Sequence, residues 1–181
     1  MRKVTLGMNI TLDGYVAGPN GELDWAFRTM SPDMGEWVTE LLRGVDTILI
    51  GHNTYLQQAA AWPSQAGEMA TLLNSHTKIV FSKRLTTLEW NNSRHATADA
   101  SEEIARLKEQ PGKNISVTGG ATLAQSLARL GLIDEYNLVM HPIALGGGKP
   151  LFTDLSVPLD LKLVSTQTFV AGAIGLTYQL A

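Results

Sequence analysis

Hydrophobic and polar residues alternate at the beginning of the chain. Every second residue from Lys3 to Thr11 is apolar, which predicts a strand with one buried face. The next ten residues, 12–21, hold three glycines and one proline and predict a long loop. Loops of this length in compact domains are often functional.

Short apolar runs and helical patterns follow each other along the rest of the chain. Runs rich in Ile, Val and Leu predict strands buried on both faces, as in a parallel sheet. They are Asp46–Gly51, Thr77–Ser82, Ile115–Thr118 and Glu135–Ile143. Helical patterns run over Met34–Arg43, from Gly51 towards Pro63, over Ser101–Glu109 and over Leu123–Leu130. Ser101 is the expected N-cap of the third of these helices.

The last part of the chain has a different pattern. Leu159–Phe169 and Ala173–Leu180 predict two antiparallel strands joined by a short turn. The order of predicted strands and helices along the chain indicates an α/β fold, with a mainly parallel central sheet flanked by helices and with antiparallel C-terminal strands. We find no repeat, low-complexity tract or linker, so residues 1–181 are expected to form a single domain.

Composition limits the function classes. The net charge is −3, with 44% hydrophobic and 17% charged residues, so a nucleic-acid partner is not expected. The absence of cysteine excludes disulfides and thiolate metal sites. No signal-peptide pattern or membrane span is seen. We therefore expect a cytoplasmic protein with a small-molecule substrate and no membrane partner.

The segment from Ile115 to Leu123 is the most informative. Its β-branched run ends in Gly119 and Gly120 and leads directly into a helical pattern. A bare turn before a helix can hold a phosphate, because free N–H groups and the helix dipole favour an anion there. An ordinary tight turn is the alternative interpretation.

Two other strand ends carry related groups. Gly51, His52 and Thr54 follow one buried run, and Ser82-Lys83-Arg84 ends the next. Ligands of open α/β sheets bind at such carboxyl ends, and adjacent Lys and Arg suit a dianionic phosphate. Together these ends favour NADP over NAD. Thr54 as a helix cap and a solvated Lys83-Arg84 pair are the alternatives.

Several other catalytic classes are disfavoured. The four histidines show no metal-binding spacing, so no metal is expected. A G-x-S-x-G nucleophile motif is also absent. The G-x-G-x-x-G fingerprint does not follow any predicted strand.

Four segments in this order carry a resemblance that runs nearly from end to end. They are Thr11–Ala17, Ile50–Thr54, Val117–Leu123 and the glycine loop Pro142–Phe152. The chain resembles the dihydrofolate reductase-like superfamily. Within it, the chain is most similar to the branch with the C-terminal reductase domain of bifunctional riboflavin-biosynthesis proteins. This resemblance implies NADPH-dependent hydride transfer and a homodimer.

The resemblance also assigns site residues. His52 stands where Arg is usual in the superfamily. Gly146 and Gly147 of the glycine loop are expected near the substrate. The residues expected to bind NADPH are Val16, Ala17, Gly51, His52, Thr54, Ser82, Lys83, Arg84, Gly119, Gly120, Ala121, Thr122 and Leu123.

The substrate side departs from true dihydrofolate reductases. Trp25 matches their loop tryptophan, but Met30 stands where their carboxylate would be, so folate reduction is not expected. Asp13, Asp24 and Trp25 remain as candidate catalytic residues. The alternatives are a turn-forming Asp13, a helix-capping Asp24 and a core position for Trp25.

The sequence therefore predicts an NADPH-dependent reductase of a small heterocyclic or carbonyl substrate. Hydride transfer needs little acid chemistry from the protein, because the cofactor supplies the reducing equivalent. One alternative is the 5-amino-6-(5-phosphoribosylamino)uracil reductase of riboflavin biosynthesis. The other is a nucleotide-binding protein of the same fold without catalysis.

Overall fold

The computed structural model describes all residues from 1 to 181. Its strands are β1 (Val4–Thr11), β2 (Tyr15–Ala17), β3 (Val45–Gly51), β4 (Thr77–Phe81), β5 (Ser93–His95), β6 (Asn114–Thr118), β7 (Glu135–His141), β8 (Lys149–Pro150), β9 (Leu161–Thr168) and β10 (Ile174–Leu180). Its α-helices are α1 (Asp24–Phe27), α2 (Pro32–Arg43), α3 (His52–Ala61), α4 (Glu68–Ser75), α5 (Ala100–Glu109) and α6 (Ala121–Arg129). A single 3₁₀ turn covers Trp62–Ser64.

Eight strands form one sheet in the order β5-β4-β3-β6-β1-β7-β10-β9. The six strands from β5 to β7 are paired in parallel, so their carboxyl ends meet at one edge. β10 runs antiparallel to both β7 and β9. The predicted α/β fold, with a mainly parallel sheet and antiparallel C-terminal strands, is confirmed.

Alternate residues of the strands pack on opposite sides of the sheet. Leu6 of β1 and Val117 of β6 are paired neighbours, and both are buried with Leu127 of α6. Ile48 and Ile50 of β3 belong to a second cluster formed with helices α2 and α4. Burial on both sides explains why these strands read as nearly continuous apolar runs.

A small two-stranded sheet joins two segments that the sequence suggested were irregular. β2, within the predicted loop 12–21, pairs with β8 of the glycine loop. Gly148 makes this approach possible, because a Cβ there would lie 2.3 Å from the carbonyl oxygen of Ala17. A strand of three residues is too short to give a recognisable alternation.

The start of α5 also differs from expectation. The helix begins at Ala100, and its N-cap is Asp99, whose carboxylate accepts a hydrogen bond of 2.9 Å from the Glu102 N–H. The prediction of Ser101 as the cap was therefore wrong by two residues. Both residue types cap helices well, so the sequence alone did not decide between them.

Strand β9 forms an open edge of the sheet. All its residues after Leu161 are exposed, and Leu163 and Val164 are each about half exposed. The homodimer implied by the resemblance stays a prediction. None of the helices is both long enough and apolar enough to cross a membrane.

Lys78 is a fully buried cation within β4. Its Nζ donates 3.0 Å hydrogen bonds to the carbonyls of Leu73 and Asn74 at the end of α4. The same atom lies 4.4 Å from the centre of the Trp90 ring, and burial lowers the pKa of Lys78 to about 8. Lys78 therefore ties the end of α4 to the sheet.

We predict that Lys78→Ala lowers the free energy of unfolding by about 3 kcal/mol, because it leaves a cavity and removes the Lys78 donor to the Leu73 carbonyl; the Asn74 carbonyl still accepts from Asn92 Nδ2. Lys162→Ala on the exposed β9 edge is the control and should change stability by less than about 0.5 kcal/mol. Urea unfolding measures both. Equal effects of the two variants would contradict this role of Lys78.

Candidate functional site

A cavity of about 950 Å³ opens at the carboxyl edge of the parallel strands. Its floor comes from β1, β6 and β7, and one wall comes from the apolar side chains of α2. Arg84 and Lys149 are the only lysine or arginine residues in its lining, and the lining holds no Asp or Glu. The cavity therefore has a neutral interior with cations at two places.

Two helices begin at this cavity without capping side chains. α3 follows Gly51 and α6 follows Gly120, and neither glycine can supply a cap. The first N–H groups of a helix have no partner within the helix, and both first turns line the cavity. Paired helix N-termini without caps form a site suited to anionic groups.

Close contact between the two turns fixes their relative positions. A Cβ on Gly119 would lie 2.8 Å from Cγ2 of Thr54, and one on Gly120 would lie 3.0 Å from its Oγ1. Both glycines also have positive φ angles, of +64° and +84°, which L side chains rarely adopt. Thr54 of α3 is thus packed directly against the turn that precedes α6.

A polar corner connects the first turn of α3 to the end of β4. The Nδ1 atom of His52 lies 2.8 Å from the Ser82 hydroxyl oxygen. That oxygen already accepts N–H groups from Arg84 and Leu85, both at 3.2 Å. Ser82 therefore donates a hydrogen bond to Nδ1 of His52. Lys83 and Arg84 are exposed beside this corner and form no ion pair with any acid.

Most of the residues expected to bind the cofactor surround this cavity. Ser82 and Lys83 lie just outside its lining, beside His52 and Arg84. The members that line it are Val16, Ala17, Gly51, His52, Thr54, Arg84, Gly119, Gly120, Ala121, Thr122 and Leu123. Their role in cofactor binding stays a prediction.

Asp13 and the glycine loop form a separate unit. The Asp13 carboxylate accepts hydrogen bonds from the Thr11 hydroxyl at 2.6 Å and from the N–H groups of Leu145 and Gly146 at 3.1 and 2.7 Å. These bonds lower the pKa of Asp13. Asp13, Gly146 and Gly147 do not line the large cavity, so Asp13 holds the loop against β1.

Asp24 and Trp25 also lie outside the large cavity. Asp24 is exposed and 3.7 Å from Arg28. Trp25 is only 2% exposed, and its Nε1 donates to the Glu22 carbonyl at 3.0 Å. Trp25 borders a smaller cavity of about 210 Å³. Catalytic roles for Asp13, Asp24 and Trp25 stay predictions.

Sequence reasoning assigned none of the residues of the cavity floor to the site, including three small or amide residues of β1 and β7. Gly7 and Asn9 of β1 and Asn137 of β7 all line the cavity. The alternating pattern of apolar and polar residues did mark these three positions, because each is a polar or small residue on one face of its strand. The alternation gives no sign of whether such positions face solvent or a cavity, and here they face the cavity.

Comparison with known proteins agrees with this architecture. The dihydrofolate reductase of Enterococcus faecalis, solved in complex with NADP(H), superposes with a TM-score of 0.68 at 16% identity, over 98% of this chain and 96% of that chain. The fold is therefore dihydrofolate reductase-like. The chain belongs to the RibD C-terminal domain family, whose model matches residues 2–174.

Two further relatives cover almost the whole chain. The uncharacterized protein YyaP of Bacillus subtilis is 38% identical over 98% of this chain and 94% of its own length. A proposed riboflavin biosynthesis protein of Shewanella sp. PV-4 superposes with a TM-score of 0.79 at 25% identity, over 99% of both chains. The resemblance found in the sequence is thereby confirmed.

The contact of Gly119 with Thr54 can be tested by substitution. We predict that Gly119→Ala destabilises the protein by about 2 kcal/mol, because it combines strain at positive φ with a steric clash. Gly131→Ala is the matched control: its φ is also +64°, but nothing lies within 4 Å of an added Cβ.

The free energy of unfolding of Gly131→Ala should fall by only about 1 kcal/mol, because backbone strain is its only cost. Thr54→Ser removes the clashing methyl group and should restore part of the stability of Gly119→Ala. Thermal and urea unfolding measure all these variants. An equal loss in both alanine variants, without any effect of Thr54→Ser, would contradict the close contact.

Proposed function

We propose that this protein is an NADPH-dependent reductase that transfers a hydride to a small heterocyclic or carbonyl substrate. One observation carries the proposal. Two helix N-termini without caps meet at one cavity, beside Lys83 and Arg84, which have no acidic partner. This arrangement is complementary to a ligand with several phosphates.

The residues present fit NADPH. The first turns of α3 and α6 offer N–H groups for the pyrophosphate, and the bare glycines keep side chains out of the space between them. Lys83 and Arg84 would hold the 2′-phosphate, which distinguishes NADPH from NADH. Nδ1 of His52 accepts a hydrogen bond from the Ser82 hydroxyl, so His52 would contribute a hydrogen bond to the ligand rather than the forked charge of an arginine.

The protein's own contribution to the reaction is positioning. When bound, NADPH supplies the hydride, and the chain must set the distance and exclude water. Val16, Ala17 and Leu23 on one side and Trp37 and Leu41 on the other give the cavity apolar walls. Since the lining holds no carboxylate, the proposal needs no protein acid in the cavity.

Family membership supports this reading, and it also raises the alternative of a ribosylaminopyrimidine reductase. That substrate carries its own phosphate, which would need a cation apart from the cofactor site. Lys149, on β8, is the one cavity-lining cation distant in sequence from the Lys83-Arg84 corner. A third candidate is a protein that binds the nucleotide without catalysis, consistent with His52 in the place of Arg.

Titration with NADPH, followed by nicotinamide fluorescence, tests the cofactor. We expect saturable binding, and no saturable change at millimolar NADPH would overturn the proposal. NADPH oxidation with pterins, pyrimidines, quinones and the phosphorylated ribosylaminopyrimidine then separates the candidates. Binding without oxidation of NADPH by any of them would favour the protein without catalysis.

The basic corner generates a prediction on cofactor choice. We expect Lys83→Ala/Arg84→Ala to weaken NADPH binding by about 10- to 100-fold, because two charge-assisted contacts to the 2′-phosphate are lost. NADH affinity should change less than about twofold, since NADH lacks that phosphate. Fluorescence titration with each nucleotide measures the effect.

Arg129→Ala/Lys162→Ala removes the same net charge from residues that do not line the cavity and should leave both affinities unchanged. Equal weakening of NADPH and NADH binding by Lys83→Ala/Arg84→Ala would contradict the assigned 2′-phosphate site.

A further inference from the structure

Asn9 has an unusual position for a residue of a central strand. β1 lies between β6 and β7 in the middle of the sheet, where side chains are normally covered. The residues that follow Asn9, Ile10 and Thr11, are buried, but Asn9 itself is exposed to the large cavity. Its amide is therefore the most accessible polar group that β1 presents there.

A buried histidine fixes the orientation of this amide. His141 of β7 is 1% exposed, and its Nε2 lies 2.9 Å from the Asn9 side-chain oxygen. That oxygen can only accept, so Nε2 carries the proton and Nδ1 accepts from the Thr29 hydroxyl 2.7 Å away. The Trp25 ring meets His141 edge-on at 5.4 Å.

These contacts leave only the side-chain N–H groups of Asn9 free to bind a ligand. Because the Asn9 oxygen is occupied by His141, its two N–H groups are left for the cavity. Burial lowers the pKa of His141, which keeps the ring neutral and preserves this pattern. Thr29 and His141 do not line the large cavity, so they act on it only through Asn9.

Asn137 repeats the pattern on the neighbouring strand. Its oxygen accepts from the Thr177 hydroxyl at 2.9 Å, and its nitrogen donates to Glu135 at 3.1 Å. One N–H group is left. Gly7, paired with Asn137 across the sheet, has open space where a Cβ would stand. Asn137 itself is only 3% exposed, so the floor is a bare glycine beside one accessible amide, that of Asn9, with Asn137 buried next to it.

We propose that Asn9 orients the substrate of the reductase by donating its side-chain N–H to a carbonyl oxygen or ring nitrogen, with His141 and Thr29 as its positioning residues. The substrate class is a flat, uncharged molecule with hydrogen-bond acceptors along one edge. The substrate-binding role of Asn9 rests on the proposed function. The orientation of its amide does not, because it follows from the contacts of His141 alone.

Lumazine, a flat pteridine dione with two carbonyl groups, is the binding probe. With NADPH present, we expect the Asn9 side-chain amide resonances to shift saturably as lumazine is added. Asn9→Ala and Asn9→Asp should each raise its Kd about tenfold or more, because one donated hydrogen bond is lost. NADPH affinity should change less than twofold.

Matched controls separate this role from a general effect. Gln167→Glu makes the same amide-to-acid change on exposed β9 and should leave the Kd unchanged. Gly7→Ala adds a methyl group to the floor without strain and should also weaken lumazine binding while the protein stays folded. Absence of saturable lumazine binding to the wild type, or unchanged binding in Asn9→Ala, would overturn the proposal.

The tautomer of His141 gives a test that needs neither cofactor nor substrate. ¹⁵N NMR of the histidine side chains should show the proton of His141 on Nε2. Thr29→Val, which removes the donor to Nδ1, should shift this tautomer and weaken lumazine binding. A proton on Nδ1 in the wild type would overturn the orientation of Asn9 even if NADPH binds, whereas failure of NADPH binding alone would overturn only the proposed function.

Discussion

The packing of Thr54 against Gly119 and Gly120 is the contact on which the rest of the site depends. It brings the start of α3 and the start of α6 to the same point of the sheet edge. Neither position tolerates a side chain, because both have positive φ and a close neighbour. The same absence of side chains leaves the helix N–H groups without caps and open to the cavity.

The sheet supplies the floor of the cavity, at positions of β1 and β7 that no helix covers. β1 and β7 present Gly7, Asn9 and Asn137 where other parts of the sheet are covered by apolar helices. A polar floor inside an α/β core costs stability unless its groups are hydrogen-bonded. His141, Thr177 and Glu135 meet that need from neighbouring positions on the same face of the sheet, and they leave the N–H groups of Asn9 for a ligand.

The sequence predicted the parts of the molecule that follow local rules. Apolar runs marked the buried strands, and Gly119-Gly120 marked a turn before a helix, because these patterns depend on neighbours along the chain. The β2–β8 pairing and the partnership of Asn9 with His141 join residues far apart in sequence. No local pattern encodes them, so they required the structure. Asp13, for the same reason, could not be separated from a turn residue by sequence alone.

Backbone amide chemical shifts on addition of NADPH test the central claim most directly. The account predicts saturable shifts concentrated in the first turns of α3 and α6, at residues 52–54 and 121–123, and at Lys83 and Arg84. NADH should reproduce the shifts in the two helical turns but not those at Lys83 and Arg84. Shifts that avoid both helix N-termini, or that are absent altogether, would contradict it.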